Sequence, residues 1–178
     1  RFNVRAWQLD ITRTASLMKS TGGSTPKPEP ESQDGAADRI GIATKFASEC
    51  RFTDLTDTLK NLPPESSTEK LSSTLISLAE SSTVFLEDLE NDLAKEPVSA
   101  ELQLRSGETL TKVSIGADRK LSATTTSGET KSFTWADFSP DALIALHRIF
   151  VKNPASEFER LRRHECAIAY DWLAGNRE

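Results

Sequence analysis

Residues 100–151 read AELQLRSGETLTKVSIGADRKLSATTTSGETKSFTWADFSPDALIALHRIFV, and their periodicity constrains the fold more than any other stretch. Ala100, Leu102 and Leu104 alternate with Glu101, Gln103 and Arg105. Val113 with Ile115, Leu121 with Ala123, and Phe133 with Trp135 repeat the pattern. Period-two alternation places one set of side chains on a dry face and the other in water. Ser106-Gly107 and Ser127-Gly128 supply the positive-φ residue that a tight reversal needs, and Gly116-Ala117-Asp118 can make the middle reversal. Leu110 is out of phase with Val113, which predicts a bulge between them. The stretch therefore predicts a small four-stranded antiparallel meander whose dry face needs a cover.

The next segment is suited to be that cover. Ser139-Pro140-Asp141 combines an N-cap serine, a proline at the first helical position and an acid in the first turn. Leu143, Leu146 and Phe150 follow at helical spacing, and Asn153-Pro154 ends the helix and can cap another. Phe133 and Trp135 are expected on the same dry face, with Trp135 buried between sheet and helix. A sugar-stacking platform is the alternative for this pair, and core packing is the preferred reading.

Upstream, helices are expected within residues 38–97. Ile40, Ala43, Ala47 and Cys50 mark one face, and Phe52, Leu55, Leu59 and Leu62 mark a second helix or the continuation of the first, before Pro63-Pro64. Ser66, Ser67 or Thr68 can cap the third, in which Leu71, Leu75, Leu78, Ser82, Phe85, Leu89 and Leu93 recur up to Glu96-Pro97. Residues 154–178 predict a last helix with an apolar stripe of Phe158, Leu161, Ile168 and Trp172. Ala167, Ala169, Tyr170 and Leu173 widen that stripe, and Gly175 is placed to cap the end. Small residues beside large aromatics give this helix the look of one unit of a helical repeat.

Residues 20–37, STGGSTPKPEPESQDGAA, read as a flexible linker. Residues 1–19 contain an amphipathic, locally basic helix through Val4, Trp7, Ile11, Ala15 and Met18. A helix docked on a core is preferred there to one lying on a membrane. The predicted class is thus α+β: a helical hairpin, a four-stranded antiparallel meander spanning residues 98–153 with its helix, and two C-terminal helices.

Composition narrows the function classes. The net charge of −5 argues against a general nucleic-acid binder. No run approaches the ~20 apolar residues of a membrane span. The chain starts at Arg1, which is expected of a piece of a longer protein. Cys50 and Cys166 are far apart in apolar helical contexts and read as free thiols.

Chemistry-bearing motifs are sparse. His164-x-Cys166 places its two residues in different directions on a helix, so no metal ligand set is expected. His147 lies one position past the Leu143–Leu146–Phe150 stripe and reads as a half-exposed helix residue. There is no GxSxG elbow, and Thr21-Gly22-Gly23-Ser24 does not make a phosphate loop. Glu87, Asp88, Glu90 and Asp92 crowd one helix without calcium-loop spacing and read as a solvated face. No catalytic, cofactor-binding or metal residue is assigned.

From about Leu71 onward, over about three-fifths of its length, the chain resembles an accessory module of bacterial eukaryotic-type serine/threonine kinase proteins. The residues that carry this are FLEDLENDLAKEP, LRSGETL, SGETKSFTWADFSPDALIAL and AIAYDWLAGNRE. In such proteins a helical region and a strand-rich unit follow the kinase domain and often a membrane span. The Gly-rich loop, strand lysine, HRD loop and DFG segment are missing here, so no kinase role falls on any residue. The resemblance implies a non-enzymatic interaction or sensor module in a larger envelope-associated signalling protein, with protein partners and an extracytoplasmic position. A small-ligand-binding domain, or an enzyme whose site has no recognisable motif, is the alternative.

Overall fold

The structure is a computed structural model that describes residues 31–63, 68–116, 120–152 and 156–174. The expectations for residues 1–19 and for the first part of the linker lie outside these residues, as do Gly175 and the Thr21–Ser24 loop. Helices α1 (Glu31–Ser48), α2 (Phe52–Asn61) and α3 (Glu69–Lys95) come first. Strands β1 (Leu102–Gln103), β2 (Thr109–Ile115), β3 (Leu121–Thr125) and β4 (Thr130–Phe133) follow. A 3-10 turn (Trp135–Asp137) then leads into α4 (Pro140–Phe150) and α5 (Glu157–Ala174). The class is α+β, as the periodicities predict.

The strands form one antiparallel sheet in the order β1-β2-β3-β4. Gly107 and Gly128 adopt φ of +87° and +84°, the turn conformations expected of them. The register slips between Leu110 and Lys112, where the out-of-phase leucine predicted a bulge. Gly116 N–H donates to the Lys120 carbonyl across the middle reversal. After β4 the chain returns to the first strand. Arg105 N–H donates to the Asp137 carbonyl at 2.8 Å, and Ser139 N–H to Gln103 at 3.1 Å. The meander therefore curls back on itself, with Leu104 opposite Phe138.

That return changes the roles of the aromatics. Strand β4 ends at Phe133, and Trp135 lies in the 3-10 turn, only half-buried. Phe138 is the fully buried anchor, with Phe133 and Trp135 around it at ring-centroid distances of 6.3 and 6.2 Å. Thr134 closes the turn by donating its N–H and hydroxyl to Asp137 Oδ2, which takes Trp135 out of the strand register. The helix start at Ser139 is as predicted, its hydroxyl accepting from Ala142 N–H at 3.2 Å.

Helix α3, roughly 40 Å long at 1.5 Å per residue, is the spine of the described residues. Its predicted stripe is buried from Leu75 through Ser82 and Phe85 to Leu93. Helices α2, α4 and α5 and strand β2 all pack on it. Tyr170 of α5 stacks on Phe85 at 4.7 Å and meets Phe52 edge-on at 5.9 Å.

Two helix faces differ from expectation. Helix α1 begins at Glu31, inside the expected linker: the run of prolines ends at Pro30, none falls within 31–48, and Ala36-Ala37 favours helix. It buries Arg39, Ala43 and Ala47 and leaves Ile40 38% exposed. The Arg39 guanidinium decides this rotation by donating to Ser72 Oγ and the Gly35 and Pro63 carbonyls. Helix α5 buries Cys166 and the residues expected to widen its stripe, Ala167, Ala169, Tyr170 and Leu173, while Phe158, Leu161 and Ile168 face outward and Trp172 is half-buried. Its cap is Ser156, whose hydroxyl accepts from Glu159 N–H.

Candidate functional site

Among the described residues, three places stand out as candidate sites. The first is the seam between α3 and α5. Arg162 donates to both carboxylate oxygens of Asp88 at 2.9 and 3.0 Å. Arg163 binds Asp92 at 2.6 and 3.2 Å, and Glu159 accepts from both arginines. Asp88 and Asp92 are therefore packed against α5 and do not form a solvated acidic face. The paired arginines hold the Glu159 carboxyl far below the usual range, at about 2, and both guanidinium pKa values are raised. This arrangement fixes the rotation of α5 about its axis.

Next to this seam, His147 Nε2 lies 3.2 Å from His164 Nδ1. His147 is only 5% exposed, a correction to the half-exposed reading, because the Phe85 ring covers it at 5.8 Å. Burial lowers its pKa to about 4, and the charges of His164 and Arg163 add to this. One ring donates and the other accepts, so the pair holds a single proton between its two nitrogens. Among the described residues, no three His, Cys, Asp or Glu side chains converge to hold a metal. Cys50 and Cys166 are both free. Cys50 sits in the turn between α1 and α2 at φ +54°, and burial pushes its thiol up to about 11. Cys166 is buried, also with a raised pKa. Neither thiol is poised as a nucleophile.

The second place is a groove of about 460 Å³ where the sheet edge meets α3. Ile115, Leu121, Phe133 and Trp135 give it an apolar wall, and Glu90, Lys120, Ser132, Thr134 and Asp137 give it a polar rim. Phe133 and Trp135 therefore contribute both to the wall of this groove and to the packing around Phe138.

The third is the outward face of α5. Phe158 is 78% exposed, Leu161 53% and Ile168 55%. With Glu165 and Trp172 they repeat every three or four residues, which places them on one face. Reasoning from sequence found this stripe but turned it inward. The overlooked signal was the pair Asp88 and Asp92, one turn apart on α3, matched by Arg162 and Arg163 on α5.

Comparison with known proteins adds no relative: no family model, no curated protein and no solved structure matches this chain. Among the described residues no helix is long and apolar enough to cross a membrane.

Proposed function

We propose that the chain is a non-enzymatic interaction module within a larger bacterial envelope-associated signalling protein, and that it docks through the outward face of α5. The observation that carries this reading is the exposure of Phe158, Leu161 and Ile168 on a helix whose opposite face is fixed by Tyr170 and the arginine–carboxylate seam. Large apolar side chains aligned in solvent along one side of a rigid helix are what a docking face requires. The larger context rests on the resemblance carried by residues 85–97, 104–110, 127–146 and 167–178. A photo-crosslinking amino acid at position 161 or 168, in cells making the protein, tests the face. Discrete adducts at these positions, with none at exposed Ala94 on α3, are expected; equal labelling at all three contradicts the reading.

The groove favours a second reading, a small-ligand site. Its volume is within the roughly 300–1,000 Å³ of ligand pockets, and an apolar wall with a polar rim is their usual lining. Fragment screening by NMR checks it. Saturable shifts of the Trp135 indole support the site, and shifts confined to α5 point back to the helix face.

A further inference from the structure

We infer that the partner of the α5 face is a basic amphipathic helix of another protein; this rests on the docking reading above. The positions 158, 161, 165, 168 and 172 are spaced three, four, three and four apart, the seam of a helix–helix pairing. Four of the five are apolar, and the middle one is the exposed Glu165. The stripe runs about 21 Å, four turns, at 1.5 Å per residue.

Charge selects the occupant. Glu157 and Glu165 lie along the stripe, and Arg160 is already paired with Glu157. The other two arginines of α5 are turned toward α3, held by Asp88 and Asp92. Among the described residues, the seam thus offers the Glu165 carboxylate while the three arginines of α5 are committed to other acids. A two-fold crossing of two α5 helices centred on the stripe would bring Glu165 against its own copy in an apolar seam, which is unfavourable at neutral pH. An anionic lipid surface would meet the Glu165 carboxylate. A partner helix with apolar seam residues and a lysine or arginine facing Glu165 turns the carboxylate into the element that sets register and partner choice.

The test uses the full chain and two synthetic helical peptides of about four turns. One carries leucines at seam positions, a central seam lysine and lysines on the flanks; its twin has glutamate for every lysine. The lysine peptide is expected to bind at least about tenfold more tightly than its twin, a difference of about 1.4 kcal/mol. Leu161→Gln with Ile168→Gln should abolish binding, and Glu165→Lys should invert the preference between the peptides. Equal affinity for both peptides, binding of neither, or an unchanged preference in Glu165→Lys overturns the inference. So does a dimer of the chain alone that Leu161→Gln with Ile168→Gln disperses, or a preference for phosphatidylserine vesicles over the lysine peptide. If neither peptide binds while position-specific crosslinking at 161 persists, the basic helix is wrong and the docking face stands. If the crosslinking is lost as well, both fall.

Discussion

His147 Nε2 and His164 Nδ1 are 3.2 Å apart, one ring sealed beneath Phe85 and the other exposed at the surface of α5. A proton on the buried ring would place a charge where water cannot solvate it and against the charges of His164 and Arg163.

This makes stability dependent on pH in a defined window. The folded-state pKa of His147 is about 4, below its ordinary 6.5. The unfolded chain therefore binds a proton that the folded chain does not, and stability present above pH 6.5 is lost as pH falls toward 4. At 1.36 kcal/mol per pKa unit the loss reaches up to about 3 kcal/mol. Urea unfolding of wild type and His147→Leu at pH 7 and pH 5 checks this: the wild type should lose stability more steeply. Equal losses would remove His147 as the cause. The Glu159 carboxyl contributes only lower, from about 4.5 toward 2.

The anchor of the sheet is Phe138, and this too is measurable. Phe138→Ala should cost about 3–5 kcal/mol, the range for truncating a buried large aromatic. Trp135→Ala, at a half-buried position in the 3-10 turn, should cost at least about 1 kcal/mol less. The reverse order in denaturant unfolding would restore Trp135 as the anchor.

Arg163 and Asp92 form the most enclosed ion pair of the α3–α5 seam, with side chains 14% and 11% exposed. A double-mutant cycle on them should return a coupling of about 1–3 kcal/mol, as for partners in one network. The same cycle on Lys60 and Glu80, both more than half exposed, should return about 0.2–1 kcal/mol. Indistinguishable couplings would mean that the seam does not set the rotation of α5.

The readable parts of this fold were those decided by local chemistry. The glycine turns, the Leu110 bulge, the Ser139-Pro140 start and the long stripe of α3 each follow from a few neighbouring residues. Trp135 was misplaced because Thr134 and Asp137 close a turn that interrupts the strand alternation. The face of α5 was hidden for another reason. The helix has two apolar sides, and burial went to the one with small residues beside Tyr170. The choice was made by Asp88 and Asp92, more than seventy positions away in sequence. The groove was equally illegible, since Glu90 reaches it from α3 and the other lining residues from the sheet and its turn.

The central claim is that α5 has one apolar side in the core and one in solvent. Equilibrium unfolding of Leu161→Gln combined with Ile168→Gln, set beside Leu173→Gln, tests it most directly. Each outward substitution should change stability by no more than about 0.5 kcal/mol, as exposed positions do. Leu173, 4% exposed, should cost about 2 kcal/mol or more. A loss in the outward double variant as large as that of Leu173→Gln would contradict the account, because it would place Leu161 and Ile168 inside the folded chain.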